Sequence, residues 1–153
     1  SAPWNYAPQQ MTLYARFVES GNVSGGASAN VLTIGDASSG NRLQMWSTGS
    51  AGYRLTYNGT DSGALTSAAL GDLVELRAVF VASGNSTIYQ SLNGGAETSV
   101  AVALGALQAS YNAATLYFNS VGASNVGFTA FTHAAIALGP EQSLASMRAR
   151  AGV

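Results

Sequence analysis

The stretch GDLVELRAVF, residues 71–80, sets Asp72, Glu75 and Arg77 in an otherwise apolar run, within a chain that has only seven acidic and six basic residues. Two carboxylates this close suggest glycoside hydrolysis, in which a nucleophile and an acid–base group project into one cleft about 5 Å apart. Strand geometry argues against that chemistry. Val74, Leu76, Ala78 and Phe80 repeat at period two and form a core face, so Glu75 and Arg77 share the opposite one. Asp72, three residues from Glu75, falls on the other side and into the preceding turn. No two acidic residues stand at i, i+2 or i, i+4. The spacing therefore predicts a partly exposed Glu75–Arg77 ion pair, worth about 1 kcal/mol at most, and no enzyme.

Other chemistries find little support. No serine lies in a G-x-S-x-G elbow. The single histidine, His133, sits in FTAFTHAAIAL on the face of Phe131 and Ala135, where a strand histidine ordinarily packs or hydrogen-bonds. With one histidine and no cysteine, neither a zinc site nor a disulfide framework is expected. Calcium takes carboxylate and carbonyl oxygens from loops, and Asp36, Asp61 and Asp72 all lie in turn-rich segments, with Asn41 and Asn58 close by. Asp36 and Asp61 are the candidate ligands. No segment has dense D-x-D-x-D spacing, however, and Asp or Asn in a turn more often bonds its own backbone.

The most suggestive residues are aromatic and polar ones that alternation puts together on faces away from the core: Tyr14 and Arg16, Gln44 and Trp46, Glu75 and Arg77, Tyr89, and His133. A ring face matches the apolar C–H surface of a sugar, and neighbouring polar groups match its hydroxyls. Such faces also serve protein contacts, and any one of these rings could instead pack beneath a loop.

The elements that must position these residues are strands. MTLYARFVE (11–19) alternates, with Leu13, Ala15 and Phe17 on one side and Tyr14, Arg16 and Val18 on the other. Further strands are expected at 30–36, 41–47, 53–58, 72–81, 86–92, 114–120 and 126–138. Short strands rich in aromatic and β-branched residues, punctuated by Gly, Asn and Ser, predict an antiparallel sandwich or barrel. Asn93-Gly94-Gly95 and Gly84-Asn85 predict hairpin turns. Only GPEQSLASMRARAG reads as helix, about three turns, with Pro140 and Glu141 in the first turn, Leu144 and Met147 on one side, and Gly152 as its stop.

Composition narrows the function. The 153 residues fit one domain with a real core. All six basic residues are arginines and only 8% of the chain is charged, so Ser, Thr, Asn, Gln and Gly must build the surface. The net charge of −1 comes with no basic patch, so neither nucleic-acid binding nor polybasic membrane attachment is expected. No apolar run approaches the roughly 20 residues of a spanning helix, and SAPWNYAPQQ lacks the features of a signal peptide. Ser1 fits either loss of an initiating Met or a domain cut from a longer chain.

Taken together, MTLYARFVE, VLTIGDASSGNRLQMWS, YRLTYNG, GDLVELRAVF, QSLNGGAETS, TLYFNSVG and SLASMRA resemble the laminin-G-like, concanavalin-A-like jelly-roll domains of tailed-phage and prophage virion proteins, from Met11 to Arg148. The resemblance implies an all-β jelly-roll sandwich over residues 11–153, with a convex and a concave face and a short C-terminal helix. Residues 1–10 would be the junction with an upstream domain. It further implies a non-enzymatic module of the phage particle, on tail or capsid, and an adhesive role toward host-surface glycan or a structural one among virion subunits, with homo-oligomers common. The acidic E-x-D-x-x-E stretch of jelly-roll glucanases has no counterpart here. On the adhesive reading, Tyr14, Arg16, Trp46, Glu75, Arg77 and Tyr89 would form one shared concave face. No cofactor is expected beyond calcium at the loop aspartates.

Overall fold

The computed structural model describes residues 9–19, 28–35, 42–48, 52–106, 116–118 and 131–153. Within them lie the strands β1 (Gln10–Val18), β2 (Ser28–Gly35), β3 (Arg42–Thr48), β4 (Tyr53–Tyr57), β5 (Thr60–Asp61), β6 (Leu73–Val81), β7 (Ser86–Leu92), β8 (Thr98–Val102), β9 (Leu116–Phe118) and β10 (Phe131–Leu138), followed by the helix α1 (Leu144–Ala151). They form two five-stranded sheets, β10-β1-β6-β7-β8 and β5-β4-β3-β2-β9. Every pairing is antiparallel. This is the expected all-β sandwich with a short C-terminal helix.

Alternation builds the core. Met11, Leu13, Ala15 and Phe17 of β1 and Val74, Leu76, Ala78 and Phe80 of β6 point inward from the first sheet. They meet Leu32, Ile34, Leu43, Met45, Leu55 and Tyr57 of the second. Phe17 reaches the ring of Tyr53 edge-on across the sandwich, 5.7 Å between centroids, an arrangement aromatic quadrupoles favour. The Tyr53 hydroxyl, buried with the ring, donates to the buried carboxylate of Glu19 at the end of β1. Burial, reinforced by that hydrogen bond, holds the phenol far above its ordinary pKa.

Two irregularities matter for function. In β2 the pairing with β3 slips between Asn30 and Leu32, so Val31 is an extra residue and both Val31 and Leu32 are buried in the core. Without this bulge Asn30 would share the inward face of Leu32; with it, Asn30 lies opposite Trp46 on the outer face. The second irregularity is the segment 62–72, which runs as an extended strap beside β4. Ser62 N donates to Leu55 O at 2.8 Å and Leu65 N to Tyr53 O at 2.9 Å. Gln90 of β7 ties the strap to the other sheet, donating to Thr66 O at 2.8 Å.

The turns follow their residues. Asn93 and Gly94 take φ of 52° and 77° at the start of the connection 93–97 between β7 and β8, and Asn58 and Gly59 take 49° and 75°, the left-handed pair that their two-residue hairpin requires. The second of these turns returns the chain as β5, a strand not anticipated from the sequence. The turn expected around Gly84-Asn85 joins β6 to β7. Of the strand expected at 114–120, the described part is Leu116–Phe118; of that at 126–138, it is Phe131–Leu138.

The helix is shorter than its sequence suggests. It begins at Leu144, behind Ser143, whose hydroxyl accepts from Ser146 N, and ends at Gly152 with φ 79°. Pro140 and Glu141 thus precede the helix rather than open it, because the serine cap lies nearer the apolar pair. No helix among the described residues is long and apolar enough to cross a membrane.

Candidate functional site

The outer face of the first sheet carries five of the six expected ligand residues, and α1 lies across Tyr14 and Glu75 among them. Met147, fully buried, packs against Tyr14 and Ala137, with Leu144 and Ala151 beside it. Glu75, paired with Arg16 across β1–β6, is buried and accepts the Tyr14 hydroxyl at 2.5 Å. Arg148 of the helix grips the same carboxylate with two nitrogens: Nε donates to Oε1 at 2.8 Å and Nη2 donates to Oε2. Arg77, also buried, donates to Glu97 through Nε and Nη2 at 3.0 and 2.9 Å. Its Nη1 donates to Glu141 Oε1 at 2.8 Å and to the Gln142 carbonyl at 3.0 Å. The guanidinium also stands 3.8 Å over the ring of Tyr89, a cation–π contact.

This network corrects two expectations. Glu75 and Arg77 are not a partly exposed ion pair; each is buried and bound to a partner outside its own strand. Nor do Tyr14, Glu75 and Arg77 present a face to a ligand, because the C-terminal segment occupies it. Side chains two apart on a strand lie about 6.7 Å from one another, so a carboxylate and a guanidinium there do better by reaching across to other elements.

The electrostatics follow from the contacts. The Arg148 hydrogen bonds hold the Glu75 carboxyl below its ordinary pKa against the cost of burial, with help from Tyr14. Burial and the Glu75 bond push the Tyr14 phenol up. The Arg77 guanidinium is depressed by burial, but Glu97 and Glu141 more than reverse this. A carboxylate with a depressed folded pKa contributes stability that is full above the unfolded value of about 4.3 and is lost as pH falls through the folded one. Unfolding free energy should thus be flat from neutrality to about pH 5 and decline below about pH 4. Denaturant titrations across that range should find the decline shallower in Glu75→Gln; an equal slope in the variant would remove Glu75 from the effect.

Asp72 is a turn residue, as expected. It accepts from Asn93 Nδ2 and from Ala69 N, each at 2.8 Å, and the Asn93 bond leads in lowering its pKa.

Trp46, the sixth expected residue, belongs to the other sheet, so a face shared with Tyr14, Arg16, Glu75, Arg77 and Tyr89 does not exist. On the outer face of the second sheet, β3 carries Arg42, Gln44 and Trp46, with Arg54 and Thr56 of β4 directly opposite Trp46 and Gln44. Thr33 and Asn30 of β2 lie opposite Gln44 and Trp46 on the other flank. The indole N–H of half-buried Trp46 donates to the Thr56 hydroxyl, which donates to Asp61 of β5. This relay satisfies the indole donor and sets the ring's orientation. Gln44 Nε2 donates to Asn30 Oδ1 at 2.5 Å. Arg54 approaches Asp61 only to 3.8 Å.

Of the expected calcium ligands, Asp36 lies outside the described residues. Asp61 is engaged by Thr56 and faces an arginine, an environment that does not suit a cation. No cluster of three His, Asp or Glu side chains occurs among the described residues. Arg42, Arg54, Thr56 and Asn30 were not singled out from the sequence. Asn58-Gly59 was the available signal for Arg54, Thr56 and Asp61, since a two-residue hairpin there folds β5 against β4; Asn30 had none, because its position depends on the bulge.

No family model matches this chain, and no curated protein matches it in sequence. Among solved structures it is similar to full-length tailspike protein 2 from Escherichia coli O157:H7 bacteriophage CAB120, with TM-score 0.61 and 16% identity over 88% of this chain. The match spans 20% of the tailspike's length. A weaker likeness, TM-score 0.41 at 16% identity, covers 72% of this chain and 56% of SCP-B, an eqolisin-family peptidase.

Proposed function

We propose that this chain is a non-enzymatic module of a phage virion, carried on tail or capsid, that binds host-surface glycan through the outer face of its second sheet. The observation that carries this reading is the Trp46 surround: a half-buried indole fixed by Thr56 and bordered by the guanidinium of Arg54, above a buried Gln44–Asn30 amide pair, on the sheet that α1 does not cover. A ring held in one orientation loses little entropy on stacking. The likeness to a tailspike supports the virion setting at the level of fold.

A glycan array carrying host surface polysaccharides tests the proposal. Trp46→Ala should weaken binding at least about tenfold, the scale of one lost stacking contact, while Tyr89→Ala on the opposite sheet leaves it unchanged. Loss in both variants, or in Tyr89→Ala alone, would move the site to the first sheet. A second reading, a decoration module that joins virion subunits, draws on the exposure of Ile136 and Leu138 on β10, which ends the first sheet. Absence of array binding by assembled protein would favour it.

A further inference from the structure

We infer that the glycan recognised by the second sheet is acidic, its carboxylates held by Arg42 and Arg54. This rests on the glycan-binding reading above and names the chemical class of its ligand. The chain as a whole is slightly negative, at −1, yet this face carries two arginines against the single carboxylate of Asp61 among the described residues. Clustering cations against the overall sign marks a surface that attracts anions locally.

The state of the two guanidinium groups is the stronger observation. Elsewhere, Arg77 on the first sheet's face makes four hydrogen bonds to Glu97, Glu141 and Gln142, and Arg148 of α1 makes two to Glu75. On the second sheet the pattern reverses. No carboxylate among the described residues reaches Arg42, and its Nε is buried without a hydrogen-bond partner. The Nε of Arg54 is likewise buried and unpartnered, and its one ion pair, to Asp61 at 3.8 Å, is longer than a hydrogen bond and partly open to water. A loose, half-exposed pair of this kind is weak, so an arriving carboxylate can replace it at little cost. A guanidinium offers the planar fork that receives a carboxylate with two parallel bonds.

Geometry ties these cations to the aromatic. Arg54 stands directly across from Trp46 on β4, and Arg42 lies four residues along β3 on the same face, about 13 Å away. Gln44, buried and bonded to Asn30, lies between them and forms the floor of the face. Stacking on Trp46 would place a sugar's ring substituent over Arg54, and a second acidic residue of the same chain would extend along β3 toward Arg42. Stacking at Trp46 with charge on β4 beside it and farther along β3 selects a polysaccharide with repeated carboxylates over an isolated acid.

The test is an array of neutral, uronate-bearing and sialate-bearing oligosaccharides, probed with the full chain and with Arg42→Gln, Arg54→Gln and Trp46→Ala. Both arginines lie at the sheet surface, so unchanged melting of the glutamine variants checks folding. The expected result is binding confined to acidic glycans, falling with added salt, and weakened about tenfold or more in Arg54→Gln. Binding of neutral glycans that Trp46→Ala abolishes and both arginine variants retain would overturn this inference and leave the glycan-binding reading intact. No binding by the folded protein to any glycan would overturn both.

Discussion

Gly52→Ala should leave the protein unfolded, or destabilised by about 4 kcal/mol or more, among the largest effects a single methyl can have. Gly52 precedes β4 with φ 79°, where an L side chain is strained by about 1–2 kcal/mol. Strain is the smaller part. A Cβ built there would stand 1.8 Å from the carbonyl oxygen of Leu65 and 2.9 Å from its carbon. Those are backbone atoms, and Leu65 is pinned in place because its N–H donates to Tyr53 O at 2.9 Å. Its side chain is buried in the core, so the strap cannot lift away without opening the sandwich. Gly59 supplies the control. It has nearly the same φ, 75°, with nothing within 4 Å of an added Cβ. Gly59→Ala should therefore cost only the conformational part, about 1–2 kcal/mol. Urea denaturation of the two variants separates clash from strain; equal losses would show that the strap yields.

Arg148→Ala should cost about 2–4 kcal/mol, less than a fully buried pair because Arg148 is about a third exposed. The loss arises at Glu75 rather than at Arg148. Removing the guanidinium leaves a carboxylate that is 3% exposed with the Tyr14 hydroxyl as its remaining hydrogen bond and Arg16 contributing charge alone. Burial then favours protonation, so the variant loses most stability near neutrality and the acid-side decline traced to Glu75 should shrink or reverse. The helix should loosen as well. Its apolar attachment is small, Met147 seated against Tyr14 and Ala137, and the Arg148 fork is its main polar tie to β6. Amide exchange in 144–151 should accelerate while β6 stays protected. Glu75→Gln with Arg148→Ala should recover part of the loss, since an amide is cheaper to bury than an unpaired charge. A single variant within about 0.5 kcal/mol of the parent would mean that water replaces the arginine without cost.

These two sites mark the boundary between what is legible in the chain and what is not. Alternation in MTLYARFVE and DLVELRAVFV identified the core rows of β1 and β6, because the direction of a strand side chain is a local property. Asn93-Gly94 and Gly152 identified a hairpin and a helix end for the same reason, positive φ being a matter of one residue's sterics. Calling Asp72 a turn residue rested on the phase of that alternation and agrees with its bonds to Asn93 and Ala69.

What alternation cannot say is which outward face belongs to which sheet. Tyr14, Glu75 and Trp46 carry the same period-two signature, yet strand order places the first two beneath the helix and the third on the opposite side of the sandwich. Ion-pair partners are equally non-local: Glu75 waits for a residue 73 positions away and Arg77 for one 64 away. The Val31 bulge, which turns Asn30 outward, arises from pairing with β3 and leaves no mark in β2 itself. By itself the sequence determined the fold class, the core rows and several turns, since each depends on neighbours a few residues apart. Which outward face the helix covers, and the partners of the buried charges, were decided by tertiary structure, because docking two sheets and one helix is a competition among distant surfaces.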